Sequence, residues 1–274
     1  MALFMDQGLA QRLERAEGAV GAGFVEVRRR IAPQLGAEWR DFGGTYAMFD
    51  GAGSPMTQTF GLGMFGPATP EQLDEIERFF GERGAATDHE VSPLAGVETF
   101  ARLVDRGYQP LELSTVLARL LDGPLDVRPA AGLHARACGE DERERERWVA
   151  ASVAGWAELP ELAGEMEAIA RAASQNPLMV NFLVEDAGEV IATGALAIYE
   201  GVALLAGAST IPAKRGLGAQ GLLLAARLDE ARRRGCELAM MVAAPGSTSQ
   251  RNAERRGFHI AYTRTKWRLP RRAG

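Results

Sequence analysis

The stretch Ile211-Pro212-Ala213-Lys214-Arg215-Gly216-Leu217-Gly218-Ala219-Gln220-Gly221 decides how this chain is read. Before it runs VALLAGASTI (202–211), apolar and small, with strand character. After it runs GLLLAARLDEARRRG (221–235), built of strong helix formers, with Leu222, Leu223 and Ala226 on one side and Gly235 as a C-terminal stop. The link therefore joins a strand to a helix. Small residues let main-chain N–H groups close on an anion, and the helix start adds unpaired N–H groups and a partial positive charge. Lys214 and Arg215 add two full charges. The expected ligand group is a pyrophosphate; the plain alternative is a glycine-rich turn.

Working outward, PLMVNFLVED (177–186) and EVIATGALAIY (189–199) read as a hairpin about Ala187-Gly188, and Glu200-Gly201 turns into the 202–211 strand. Upstream, GEDERERERWVAASVAGWAE and PELAGEMEAIARAAS (160–174) read as two helices. PLDVRP (124–129) reads as a boundary containing a short extended stretch. Downstream come a buried strand, CELAMMVA (236–243), a short helix in PGSTSQRNAERRG capped by Ser247 or Thr248, and a closing strand, FHIAYTRTKWRL. The order is strand, helix, helix, three strands, helix, strand, helix, strand.

The first half echoes this ending. FGLGMFGPATPEQ (60–72) falls where the glycine-rich link falls, LDEIERFFGERG (73–84) resembles the helix after it, and Arg106-Gly107-Tyr108 stands 150 positions before Arg256-Gly257-Phe258. A diverged tandem duplication is expected, with domains at 1–123 and 124–274. The first copy of the link, Gly66-Pro67-Ala68-Thr69-Pro70-Glu71, lacks Arg, carries two prolines without N–H groups and runs into acids, so it is not expected to hold pyrophosphate.

Length and composition narrow the classes. The chain has 274 residues, 46% of them apolar and 24% charged, which suits one large or two small globular domains. No apolar run approaches the ~20 residues of a membrane helix, and acids interrupt the N-terminus where a signal peptide would be apolar, so a cytoplasmic location is expected. Two cysteines and three histidines show no metal-ligand spacing, and no metal is expected. The net charge of -5 hides a gradient: residues 1–124 carry 11 bases and 18 acids, residues 125–211 carry 6 and 14, and residues 212–274 carry 14 and 4. A basic final quarter on an acidic chain favours a local anion site over nucleic acid, which the rest would repel.

Two phosphate ligands are set aside or ranked lower. A triphosphate loop needs Gly-Lys-Ser/Thr, which is absent. Gly216, Gly218 and Gly221 spell the dinucleotide fingerprint, with Glu237 about 20 residues on. That acid stands at the wrong end of its strand, however, and the loop comes late in the chain.

The stretch Pro212 to Gly221, followed by helix, strand, short helix, Gly-Phe and strand, resembles the GNAT superfamily of acetyl-CoA-dependent N-acetyltransferases. That family carries Q/R-x-x-G-x-G/A after a strand. Arg215 and Gly218 match it, and Gln220 replaces the last small residue, as in relatives reading G-x-G-A-Q. The resemblance covers about residues 125–269. It implies a mixed α/β fold, a mostly antiparallel sheet flanked by helices, in two tandem copies of which the first is degenerate. It implies acetyl-CoA as cosubstrate, with pantetheine along Ser209, Thr210 and Ile211, and pyrophosphate on the N–H groups of Gly216, Leu217, Gly218, Ala219, Gln220 and Gly221. Lys214 and Arg215 would offset charge, and Ser249 and Asn252 could touch pantetheine. A small primary amine would attack the thioester directly in a ternary complex. Many relatives place a Tyr where Ala253 stands, and a Glu on the strand before the loop, which has no carboxylate here. Tyr199, Glu200, Ser209 and Tyr262 remain as acid or base candidates, Tyr262 carrying the clearest test, and water relay is a further route. Competing expectations are a non-catalytic CoA-binding module and a dinucleotide-binding protein.

Overall fold

A computed structural model describes residues 3–122 and 132–270; the boundary expected at 124–129 lies outside them. Contacts divide the chain into two units, residues 1–119 with 242–274, and residues 120–241.

The second unit holds the glycine-rich link. Its elements are β6 (Leu133–Ala137), α4 (Glu142–Ala154), α5 (Ala163–Ala173), β7 (Met179–Asp186), β8 (Glu189–Tyr199), β9 (Val202–Thr210), α6 (Ala219–Arg233) and most of β10 (Leu238–Ala243). Among the described residues, α4 is preceded by β6 at 133–137, a strand absent from the sequence reading; the extended stretch expected at 124–129 lies outside the described residues. The strands lie in the order β10-β9-β8-β7-β6, antiparallel except for the β9–β10 pair. Both hairpin turns have two successive left-handed residues, Ala187-Gly188 (φ 48°, 87°) and Glu200-Gly201 (φ 45°, 75°). This is the twist a two-residue hairpin needs. Asp141 caps α4 by accepting from the Glu144 N–H at 3.0 Å. The core gathers Trp148, Val149, Ala170, Ala173, Leu183 and Ala195, and the Trp148 indole N–H donates to the Phe182 carbonyl.

The first unit contains α1 (Gln7–Ile31), β1 (Glu38–Phe42), β2 (Thr45–Phe49), β3 (Gln58–Phe60), α2 (Pro70–Gly81), β4 (Thr87–Val91), α3 (Val97–Asp105), β5 (Gln109–Leu120), α7 (Thr248–Glu254) and β11 (His259–Leu269). Its strands run β1-β2-β3-β4-β11-β5. The sequence from β3 to β5 repeats the order from β9 to β11: strand, loop, helix, strand, helix, strand, with a parallel pair at β3–β4 and again at β9–β10. The contact grouping differs from the boundary read along the chain. Residues 242–274 cluster with the first unit because β11 pairs antiparallel with both β4 and β5.

Candidate active site

Two features of the second unit make an opening at the C-terminal end of β9. Strand β10 pairs with β9 only over Leu238–Met240 and Val202–Leu204, while β9 continues six residues further, to Thr210. Beyond it, the chain makes a short 3-10 turn at Pro212–Lys214 and enters α6 through Gly218, with no side-chain cap. Gly216 (φ 84°) and Gly218 (φ 88°) both adopt the left-handed region, which an L side chain resists. Among the described residues, the N–H groups of Gly216, Leu217, Gly218, Ala219 and Gln220 have no hydrogen-bond partner. Five consecutive unbonded donors at a helix start are a candidate anion cradle. A diphosphate, rich in acceptor oxygens, fits this donor set.

The sixth expected donor is withdrawn. The Gly221 N–H donates to the Gly218 carbonyl at 3.1 Å, as part of the helix's first turn. Gln220 serves as a tether: its Nε2 donates to the Ser209 carbonyl at 3.0 Å and to Thr210 Oγ1 at 2.7 Å, pinning the loop to the strand before it. The Ile211 N–H is taken by the Ile191 carbonyl at 3.0 Å, so it is not open to pantetheine. The Ser209 hydroxyl is buried, donating to the Ser152 carbonyl at 3.2 Å and lying 3.1 Å from Thr193 Oγ1.

Both cations beside the cradle have carboxylate partners. Lys214 Nζ lies 2.9 Å from Glu189 and 3.5 Å from Asp186, and the Glu189 contact raises its pKa above the ordinary lysine value. Arg215 Nη1 lies 2.6 Å from Glu158 Oε2, and its Nη2 donates to the Gly155 carbonyl. The segment after α4 is thereby linked to the loop. Close contact there has its own requirement, since a Cβ on Gly155 would fall 2.4 Å from the Ser209 hydroxyl. The sequence reading did not include Glu158, Gly155 or this tie; nothing in local periodicity marks a contact between residues 57 apart.

The remaining candidates scatter. Tyr199 and Glu200 stand at the turn that opens β9, the opposite end from the cradle. Ser249 and Asn252 are exposed on α7, which belongs to the first unit, as does Tyr262 on β11. Ala253, at the position where a Tyr was sought, is buried. The Tyr262 hydroxyl donates to Glu14 Oε1 at 2.8 Å, inside a buried polar cluster of the first unit. There Arg264 lies 2.9 Å from Glu17, 3.6 Å from Glu14 and 3.5 Å from Glu90. Burial pushes the Glu14 carboxyl up to about 7 and Tyr262 well above its usual value. Glu14 Oε2 has no partner among the described residues. No group of three or more His, Cys, Asp or Glu among the described residues could hold a metal ion, and no helix there is long and apolar enough to cross a membrane.

Helix α6 carries one further polar group. Arg227 is 4% exposed, on the stripe formed by Ala219, Leu223, Leu228 and Ala231. The apolar side read from sequence, Leu222, Leu223 and Ala226, is therefore rotated: Leu223 is buried, but Leu222 and Ala226 are only partly so. An Arg at that helical spacing was a legible signal.

Comparison with known proteins follows the geometry. Residues 143–258 match the family model described as acetyltransferase (GNAT) family. No curated protein matches the chain. Among solved structures, it is similar to a GCN5-related N-acetyltransferase from Kribbella flavida, at 20% identity, TM-score 0.68, and 97% and 96% coverage of this chain and that one. It is also similar to a tandem GNAT protein from the clavulanic acid biosynthesis pathway (13% identity, TM-score 0.64, coverage 99% and 98%). A GCN5-related N-acetyltransferase from Sphaerobacter thermophilus aligns at 16% identity and TM-score 0.60, over 79% of this chain and 73% of that one. Residues 143–258 thus match the acetyltransferase (GNAT) family model, and the chain shares its fold over nearly its whole length with a GCN5-related N-acetyltransferase and with a tandem GNAT protein.

Proposed function

We propose that this protein is an acyl-CoA-dependent N-acetyltransferase acting on a small primary amine, with a cytoplasmic location. The observation that carries the reading is the run of five unbonded N–H groups at 216–220, opening an uncapped helix beside Arg215. When bound, acetyl-CoA supplies an activated acyl carbon and a thiolate leaving group. The chain's residues bind and orient: the cradle takes the diphosphate, Arg215 exchanges Glu158 for phosphate oxygen, and the part of β9 beyond its pairing with β10 offers main-chain groups to the pantetheine arm. In the transfer, the amine nitrogen bonds to the acyl carbon, the carbon–sulfur bond breaks, and the amine's proton passes to water. A thiol of pKa about 8.5 leaves without an obligatory acid. Water is the acceptor most consistent with the site, because β9 has no carboxylate and the Tyr262 hydroxyl is committed to Glu14.

Those same absences favour a second reading, a CoA-binding module without turnover. Thermal shift with acetyl-CoA, CoA, NAD and ATP tests the cradle, because a true ligand stabilises by an amount that grows with the logarithm of its excess over Kd. Stabilisation by CoA and acetyl-CoA is expected; stabilisation by NAD alone overturns both readings. Thiol release across a panel of small amines separates the enzyme from the module.

A further inference from the structure

Lys214 and Arg215 are adjacent in sequence but reach for different parts of the second unit. Arg215 has one carboxylate partner, the exposed Glu158 in the segment after α4. Lys214 has two, Asp186 and Glu189, which flank the turn between β7 and β8. Strand β8 therefore holds the glycine-rich link twice: its Ile191 carbonyl takes the Ile211 N–H at 3.0 Å, and its Glu189 takes the Lys214 ammonium at 2.9 Å.

The hairpin tip that receives Lys214 is itself fastened. Ala187 is a non-glycine residue at φ 48°, a conformation that persists where its surroundings over-determine it. Arg147 on α4 supplies that constraint, donating from Nη2 to the Gly188 carbonyl at 3.2 Å and to Glu185 Oε1 at 2.8 Å. Arg136 on β6 donates to both oxygens of the same Glu185 carboxylate at 3.1 Å, and the two arginines share Glu144. A chain of charged contacts thus runs from β6 and α4, through the hairpin tip, to Lys214. It ends two residues before Gly216, the first of the unbonded donors. Gly216 and Gly218 give the link wide backbone freedom, and a ligand must offset the entropy of ordering it. A residue that fixes the loop beforehand removes part of that cost.

We propose that Lys214 is a positioning residue for the anion cradle and not one of its phosphate contacts: its ammonium, held by Asp186 and Glu189, anchors the glycine-rich link to the β7–β8 tip, so that the N–H groups of residues 216–220 are in place before the ligand arrives. The inference rests on the acetyl-CoA reading above, and it gives the two cations separate roles. Arg215 gives up a single exposed carboxylate to turn toward phosphate, whereas Lys214 would forfeit two.

The test uses the full chain and measures CoA binding by calorimetry and, without ligand, hydrogen exchange of the 213–218 amides. Lys214→Met and the double variant Asp186→Asn/Glu189→Gln are each expected to weaken CoA binding about threefold, the scale of an exposed ion pair. The three substitutions together cost no more than Lys214→Met alone, because both sets break the same contact. A phosphate contact predicts otherwise: freeing the lysine in D186N/E189Q tightens CoA binding, and K214M costs as much in that background as in the wild type. Either result overturns the inference. In the ligand-free chain, K214M and D186N/E189Q speed exchange at 213–218, while Lys214→Arg, which keeps the ion pair, stays near wild type. Unchanged exchange in K214M also overturns the inference. Because exchange needs no ligand, a wild type that fails to bind CoA removes the acetyl-CoA reading, while faster exchange in K214M still supports the anchor.

Discussion

The loop after β3 and the loop after β9 occupy the same place in the two halves, yet they treat their helix starts in opposite ways. Helix α2 is closed: Thr69 Oγ1 accepts from the Gln72 N–H, Pro70 has no N–H to offer, and Glu71 adds negative charge to the first turn. Helix α6 is open: it starts on Gly218 without a side-chain cap and has no acid in its first turn, and with the loop before it leaves five N–H groups unbonded among the described residues. A cap contributes about 1 kcal/mol to a helix, so the second half forgoes local stability that the first half takes. The difference teaches that the two loops diverge in whether their donors are filled, which is what the proposed anion site requires.

Closing the open loop is the harshest way to break this contrast. Gly218→Asp places a carboxylate in the cradle and forces a side chain into φ 88°. CoA affinity by calorimetry is expected to fall about 100-fold or more, or about 2.7 kcal/mol. Retained affinity would mean that the cradle is not the diphosphate site. Next in size, Arg215→Glu removes one charge-assisted contact of about 1.5–3 kcal/mol and repels phosphate, giving roughly tenfold or greater loss. CoA-induced thermal stabilisation reports it, and an undiminished shift would take Arg215 out of the site.

The two units also differ in how they answer pH. In the first, Glu14 is pushed up to about 7 by burial, against the pull of Arg264 and with Glu17, Glu90 and Tyr262 around it. The folded state holds its proton more tightly, so this contribution is fully present below 4.5 and lost as pH rises through 7. In the second, hydrogen bonds from Arg136 and then Arg147 hold Glu144 down at about 2. That contribution is present above 4.5 and lost as pH falls through 2. Hydrogen exchange, corrected for intrinsic rates, should show α1 amides better protected at pH 5 than at pH 8, and β6–β7 amides better protected at pH 6 than at pH 3. Glu14→Gln should flatten the first trend alone; parallel trends in both units would refute the assignment. The smallest effect is expected from Glu158→Gln, which frees Arg215 from an exposed partner and tightens CoA binding a few-fold, as exposed pairs are weak. Weaker binding would show that Glu158 orders the loop rather than competing with phosphate.

Much of this was legible from the residues, and the exceptions have two causes. The hairpin at Ala187-Gly188, the strand-loop-helix around 211–221 and the internal repeat follow from turn chemistry, capping and periodicity, which act over a few positions. Free N–H groups follow from glycine at left-handed positions, so these unbonded donors could be read, though the loss of the Gly221 donor needed the helix's actual first turn. By contrast, Arg215's partner lies 57 residues away and Tyr262's lies 248 away, so no window of sequence contains them. The long helix α1 went unread for another reason: buried Glu14 interrupts its apolar face, and Arg264 and Tyr262 on β11 make that burial tolerable.

The seat of β11 between β4 and β5 bears on how the protein is made. As synthesis proceeds, the amino-terminal unit must wait, with a slot in its sheet, until everything from β6 to α7 has been polymerised. During that interval two strand edges are exposed to pairing with other chains. Cutting the gene at residue 123 should therefore yield two insoluble fragments, whereas co-expressing them, or permuting the chain so that β11 is translated beside β5, offers the route to soluble material.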